Sequence, residues 1–110
     1  MKSENLFIIP KQLPTIELGE LMETLYQNNS LKVERIVSAG HITPEGYWYE
    51  QELPEWVILL QGNADILFDS AEGPLLHLAA GDYLLIEAMR RHRVIKTSEN
   101  PPCIWLAVHG

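Results

Sequence analysis

With a single cysteine, Cys103, the chain can close no intrachain disulfide and can build no cysteine-based zinc site. That usage fits a reducing compartment. Basic residues are also scarce: eight Lys and Arg stand against fifteen Asp and Glu, a net charge of −7. Nucleic acids and anionic membranes require the opposite sign, so neither is expected as a partner. The one basic group, Arg90, Arg91 and Arg93, reads as an exposed strand face. No apolar run approaches the roughly 18 residues that span a bilayer. Leu6–Ile9, four apolar residues ahead of Pro10, is too short for a signal-peptide core. A cytoplasmic protein is the expectation. The sequence also lacks a Ser-His-Asp order, a Walker loop, a Rossmann glycine pattern and any tandem repeat.

What is present is one ordinary globular domain of 110 residues, 46% hydrophobic and 21% charged. Residues 5–14 read as an extended arm bounded by Pro10 and Pro14. Leu18, Leu21, Met22 and Leu25 then follow helical spacing, with Thr15 placed to cap and Asn28-Asn29-Ser30 to stop. The spacing predicts one α-helix over residues 16–28. Residues 1–30 would therefore be arm and helix, and 31–110 a β domain. From Leu31 the period becomes two. Strands are predicted near 31–38, 47–51, 55–61, 64–68, 74–78, 83–87, 92–97 and 103–109. Turn clusters separate them, including Gly62-Asn63, Asp69–Pro74, Gly81-Asp82 and Asn100-Pro101-Pro102. Many short strands at regular spacing predict an all-β sandwich or barrel.

The stretch Gly46–Gly62 holds the first sign of a site. Glu55 stands directly before the apolar run Trp56–Leu60, and alternation puts it on the face of Val57 and Leu59. An acid on such a face must sit at a rim, be paired, or bind something. Two strands, Trp56–Leu60 and Ile104–Val108, are apolar on both faces. A barrel interior covers one face, and a partner subunit or the N-terminal arm would cover the other. A homodimer is the expectation.

These residues resemble the cupin superfamily over about residues 31–109. Glu55 and Gly62 match the end of the first cupin motif, and Gly81 and His92 match the second in their spacing. Trp48-Tyr49-Glu50-Gln51, Glu55-Trp56-Val57, Gly81-Asp82-Tyr83, His92-Arg93-Val94 and Trp105–His109 are similar to segments of small single-domain members. The resemblance implies a double-stranded β-helix barrel behind the N-terminal helix. It also implies a site at the barrel mouth, which in the family holds a metal on three histidines and a glutamate. Here Tyr49 and Gln51 replace the two histidines of the first motif. Glu87, Met89 and Lys96 replace the proline, glycine and asparagine of the second.

The resemblance aims Tyr49, Gln51, Glu55 and His92 into one cavity. Gln51, Glu55 and His92 are the candidate ligands of Mn²⁺, Fe²⁺, Ni²⁺ or Zn²⁺. Glu55 and Tyr49 are the candidate catalytic proton acceptor and donor. Tyr49, Met89 and Glu87 are expected to line the ligand pocket. Without a metal, Glu55 would pair with His92. Metal binding would weaken as pH falls through about 6.5, the unperturbed histidine value. Outside the motif positions, His41 reads as an exposed loop residue, His77 as outward-facing and His109 as solvated or interfacial. Three functions stay open: a metal-dependent enzyme, a non-catalytic small-molecule binder or sensor, and a structural dimer with a vestigial site.

Overall fold

The computed structural model describes residues 1–70 and 75–110. The expected start of a strand at residue 74 and the turn residues before it lie outside the described residues. A 3₁₀ turn, Ile16–Leu18, precedes eight strands: β1 Leu21–Gln27, β2 Lys32–Ser38, β3 Glu55–Gln61, β4 Asn63–Phe68, β5 Leu75–Ala79, β6 Tyr83–Ile86, β7 His92–Thr97 and β8 Cys103–His109. They form two facing sheets, a five-stranded one in the order β1-β2-β8-β3-β6 and a three-stranded one in the order β5-β4-β7. Every pairing is antiparallel.

Alternation decides what goes between the sheets. Glu55, Val57 and Leu59 of β3 are buried, and so are Cys103, Trp105 and Ala107 of β8. Ile36 joins them from β2, Ala64 and Ile66 from β4, Leu78 from β5 and Ile86 from β6. Trp105 belongs to this core; the outward residues of its strand are Ile104, Leu106 and Val108.

The expected α-helix over residues 16–28 is not formed. The 3₁₀ turn buries nothing and ends at Gly19, whose φ of 82° is open to glycine. Leu21–Gln27 is instead a strand on the edge of β2, running from Leu21 opposite Val37 to Gln27 opposite Lys32, with a bulge between Thr24 and Tyr26. The physical reason is the sheet. Without β1, the backbone groups of β2 would form an open edge, whereas a helix here would find no apolar surface for its stripe. Met22 and Leu25 remain exposed even in the strand. The expected strand over 47–51 shrinks to one bridge, in which Tyr49 and His92 exchange backbone hydrogen bonds of 2.8 and 3.0 Å.

The outer face of the larger sheet is covered in part. Arg35, on the outward side of β2, donates to the carbonyls of Leu6 at 3.0 Å and Ile8 at 2.8 Å. Its guanidinium also pairs with Glu23 at 2.7 Å. The arm is thus pinned across β2, where Val37 and the neighbouring Ile104 are fully buried. The β3–β6 half is bare: Trp56 stacks on Tyr83 with centroids 5.6 Å apart, and Tyr83 and Leu85 stay exposed. Among the described residues no helix is long and apolar enough to cross a membrane.

Leu59 is fully buried at the centre of this core. Leu59→Ala should lower the free energy of unfolding by about 2–5 kcal/mol, read from urea denaturation. A loss below about 0.5 kcal/mol would place the packing centre elsewhere.

Candidate functional site

Between the sheets lies a cavity of about 110 Å³. Ile36, Val57, Ile86 and Trp105 of the larger sheet and Ile66 and Val94 of the smaller one make its apolar wall. Its polar groups are Glu20, Glu34, Tyr49, Gln51, Glu55, His92 and His109. The four motif residues, Tyr49, Gln51, Glu55 and His92, are therefore together in one cavity.

Each is placed by local structure. Glu55 opens β3, opposite Ile86 on one side and His109 on the other. It is 8% exposed, and its nearest ionisable contact is His109 Nε2 at 3.9 Å. His92 opens β7 and sits between the rings of Tyr49 and Phe68, with centroids at 5.7 and 6.1 Å. Its Nδ1 lies 3.0 Å from the carbonyl of Arg90. A carbonyl only accepts, so Nδ1 carries the hydrogen and Nε2 is left as an acceptor in the neutral ring. Gln51 is held by its own carbonyl, which accepts from the Met89 amide at 2.6 Å.

Two further acids and a histidine complete the site. His109 Nε2 donates to Glu34 Oε1 at 2.6 Å, and Lys32 Nζ lies 3.4 Å from the other oxygen of Glu34. Ser38 Oγ donates to Glu20 at 2.5 Å while accepting from the Trp105 indole at 3.3 Å. Burial pushes the Glu55 carboxyl above its ordinary value; the His109 and His92 imidazoles oppose this, and the Glu34 and Glu20 carboxylates reinforce it. Burial raises Glu20 as well, against its hydrogen bond from Ser38. Burial and then the Glu20 charge raise the Tyr49 phenol. Three acids share one small space, so the site favours a bound proton or a bound cation over full ionisation.

Several expectations change here. Glu87 and Met89 do not line the cavity. β6 ends at buried Ile86, so alternation turns Glu87 outward, and Met89 occupies a left-handed turn at φ 65° with its side chain exposed. His109 is not solvated; it lines the cavity. His41 is buried rather than exposed: Nδ1 accepts from the Ala39 amide at 2.9 Å, and Nε2 meets the Pro14 carbonyl at 3.0 Å. His77 faces outward as expected, bonded to Asp65 at 2.7 Å. The arginine group is not a single exposed strand face: Arg90 and Arg91 are exposed but precede β7, and Arg93 is half-buried. Arg91 and Arg93 lie over Trp48, and Arg91 pairs with Asp69 at 2.7 Å.

Glu34 and His109 had a legible signal. Glu34 shares a strand face with Ile36, and His109 shares one with Trp105 and Ala107. Glu20 had none, because its segment read as helical.

The donor set matches a divalent ion only in part. Among the described residues no three His, Cys, Asp or Glu side chains group as ion ligands. His109 is committed to Glu34 and Glu20 to Ser38. Only Glu55 and His92 remain as strong donors, beside an amide and a phenol. Biological metal sites take three or four protein donors of the stronger kinds, so these residues do not make a preformed ion cage.

The raised Glu55 carboxyl has a signed consequence for stability. Below its ordinary 4.5 it is protonated whether folded or not, and no penalty applies. As pH rises through the raised folded value, the folded chain must bear a buried charge and loses stability. Glu55→Gln should therefore raise the melting temperature at pH 7, with a gain that shrinks on acidification below about 4.5. Calorimetry at both pH values checks this. A lower melting temperature for the variant at pH 7 would mean that attraction to His109 outweighs burial.

The comparisons with known proteins agree with this architecture. The cupin domain profile matches residues 34–109. No curated protein matches the chain at the sequence level. Among solved structures, a protein of Ralstonia eutropha JMP134, provisionally described as a mannose-6-phosphate isomerase, is 37% identical. It aligns over 99% of this chain and 97% of its own, with a TM-score of 0.84. An RmlC-like cupin protein of Desulfovibrio desulfuricans is 17% identical, over 99% of this chain and 96% of its own, with a TM-score of 0.69. The DMSP lyase DddQ of Ruegeria pomeroyi DSS-3 is 18% identical, over 83% of this chain and 46% of its own, with a TM-score of 0.68. These last two share the fold. With the profile spanning most of the chain and the Ralstonia relative aligned almost end to end, the chain belongs to the cupin family.

Proposed function

We propose that this cupin binds a small polar organic molecule inside its barrel, with Glu55 and His92 as the principal contacts and Tyr49 as a hydrogen-bond donor. One observation carries the reading. The Glu55 side chain is 11% exposed, lines the cavity and accepts no hydrogen bond among the described residues, its ion-pair contact being His109 at 3.9 Å. A buried acid in that state costs stability unless something pairs with it. The apolar wall supplies burial for the rest of a ligand, as small-molecule sites usually do.

The site also has the parts for proton transfer. The raised Glu55 carboxyl, the free Nε2 of His92 and the Tyr49 phenol stand in one space. Such groups serve as general acids and bases when a reacting atom lies within hydrogen-bond reach. The Ralstonia relative's provisional isomerase name fits acid–base chemistry of this kind. A sugar phosphate, however, is large for this space. A cavity of about 150 Å³ holds one benzene, and this one is about 110 Å³.

A divalent ion is the second reading, favoured by His92. Its Nδ1–H is anchored on a carbonyl with Nε2 left free, which is how metal-ligating imidazoles are oriented. Glu55 and Gln51 would complete such a site for Mn²⁺, Fe²⁺, Ni²⁺ or Zn²⁺.

The working unit on this reading is a homodimer. The arm covers only the β1–β2 side of the outer sheet face, and a second copy would cover Trp56, Tyr83 and Leu85. A standard interface takes roughly 800 Å² from each partner.

The indole N–H resonance of Trp105 reports on the cavity, since that ring lines it and bonds Ser38. Small neutral and charged organic probes should shift it, while added Mn²⁺, Fe²⁺, Ni²⁺ or Zn²⁺ should leave less than one equivalent bound by elemental analysis. A full equivalent of metal, retained by wild type and lost in His92→Ala, would replace the organic-ligand reading with the metal one. Light scattering at micromolar concentration should return the dimer mass; a monomer would refute that part.

A further inference from the structure

We infer that the cavity takes a small primary amine, bound as its ammonium ion on Glu55 with its short hydrocarbon tail against the apolar wall. This rests on the organic-ligand reading above and names the class of ligand.

The argument begins with charge. Among the described residues no lysine or arginine lines the cavity. An anionic ligand, whether phosphate or carboxylate, would be buried beside three carboxyl groups, with His109 already committed to Glu34 and only His92 left to meet it. The three acids are not equivalent. Glu34 is compensated twice, by His109 at 2.6 Å and Lys32 at 3.4 Å. Glu20 accepts from Ser38. Glu55 alone is left without a hydrogen bond among the described residues, at 8% exposure, on the cavity surface. An ammonium group brings three donors and one positive charge, and its hydrogen bonds to a carboxylate are among the strong ones.

The surroundings suit the same guest. Tyr49 and Trp105 present aromatic rings to the cavity, and a desolvated cation gains from such faces. Neutral His92 keeps Nε2 as a second acceptor for an N–H. Ile66 and Val94 on the facing sheet, with Ile36 and Val57 beside Glu55 on its own sheet, make an apolar lining that suits a hydrocarbon tail. Volume limits the length. A cavity of about 110 Å³ is smaller than the roughly 150 Å³ that holds the six carbons of benzene. About four non-hydrogen atoms would fill it.

The test uses three probes of one shape on the full chain: n-propylammonium, propan-1-ol and propionate. Titration is followed by the Trp105 indole resonance and by calorimetry at neutral pH. n-Propylammonium should bind, with propan-1-ol weaker by about tenfold or more and propionate giving no shift at tens of millimolar. Glu55→Gln should lose about tenfold or more for n-propylammonium while leaving propan-1-ol unchanged. Glu55→Asp, which keeps the charge, should retain part of the binding if the Gln variant is poorly folded. His77→Ala should behave as wild type. Equal or tighter binding of propan-1-ol or propionate would overturn the cation class and leave the organic-ligand reading standing. No shift with any probe would overturn both. n-Propylammonium binding that survives intact in both Glu55 variants would overturn the assignment of Glu55.

Discussion

β3 and β8 run side by side in the larger sheet, and their register puts Glu55 opposite His109 and Val57 opposite Ala107. The rest of the site depends on that pairing. Because side chains alternate, a slip of β3 by one residue would turn Glu55 to the outer face, away from His109, and bring Trp56 inside. The register is held by what it buries: Val57, Leu59, Trp105 and Ala107 all sit in the core. It is also held by the turn at the far end. Gly62 has φ 90°, and a Cβ there would meet Ser98 Oγ at 2.6 Å and the Cys103 Sγ at 3.0 Å. Only glycine lets β3 reverse into β4 so close to the start of β8.

From that register follows the electrostatics. β2 lies on the other side of β8, which brings Glu34 within reach of His109. β1 adds Glu20 just before its first residue. Three acids are thus gathered, two from the consecutive β1 and β2 and the third from β3, which β8 joins to them. Burial raises two of them, and the two imidazoles offset only part of the effect on Glu55. A hydrophobic barrel holding an uncompensated carboxylate gives up stability at the site, and such a group persists when a ligand or proton completes it. The same carboxylate that disfavours the empty folded state at neutral pH is the group with most to gain from a guest.

The legible parts share one physical origin. Strand alternation is a local property, so the inward set Glu55, Val57 and Leu59 could be read from six consecutive residues. The His92 position came from the resemblance, since Gly81 and His92 keep the spacing of the second cupin motif. The replacement of family histidines by Tyr49 and Gln51 was visible too, and with it the weakness of the metal set. The failures also share an origin. Leu18, Leu21, Met22 and Leu25 have helical spacing, but β2 needed an edge partner, and sheet pairing overrode local preference. Glu20 was lost with that segment. Met89 and Glu87 were assigned by motif position, and the end of β6 at Ile86 turned them out to solvent.

The amino-acid sequence by itself determined the all-β class and, on β3, an inward face that carries the acid Glu55 with Val57 and Leu59. It could do so because each rests on a two-residue period and on the turn residues between strands. Tertiary structure alone decided that Leu21–Gln27 is a strand. It also decided that His109 joins Glu34, that Glu20 enters the cavity, and that Glu55 is the acid left without a hydrogen bond among the described residues. These are outcomes of which strands pair, from the consecutive β1 and β2 to the distant β2 and β8, and no local pattern encodes which neighbour a strand will find.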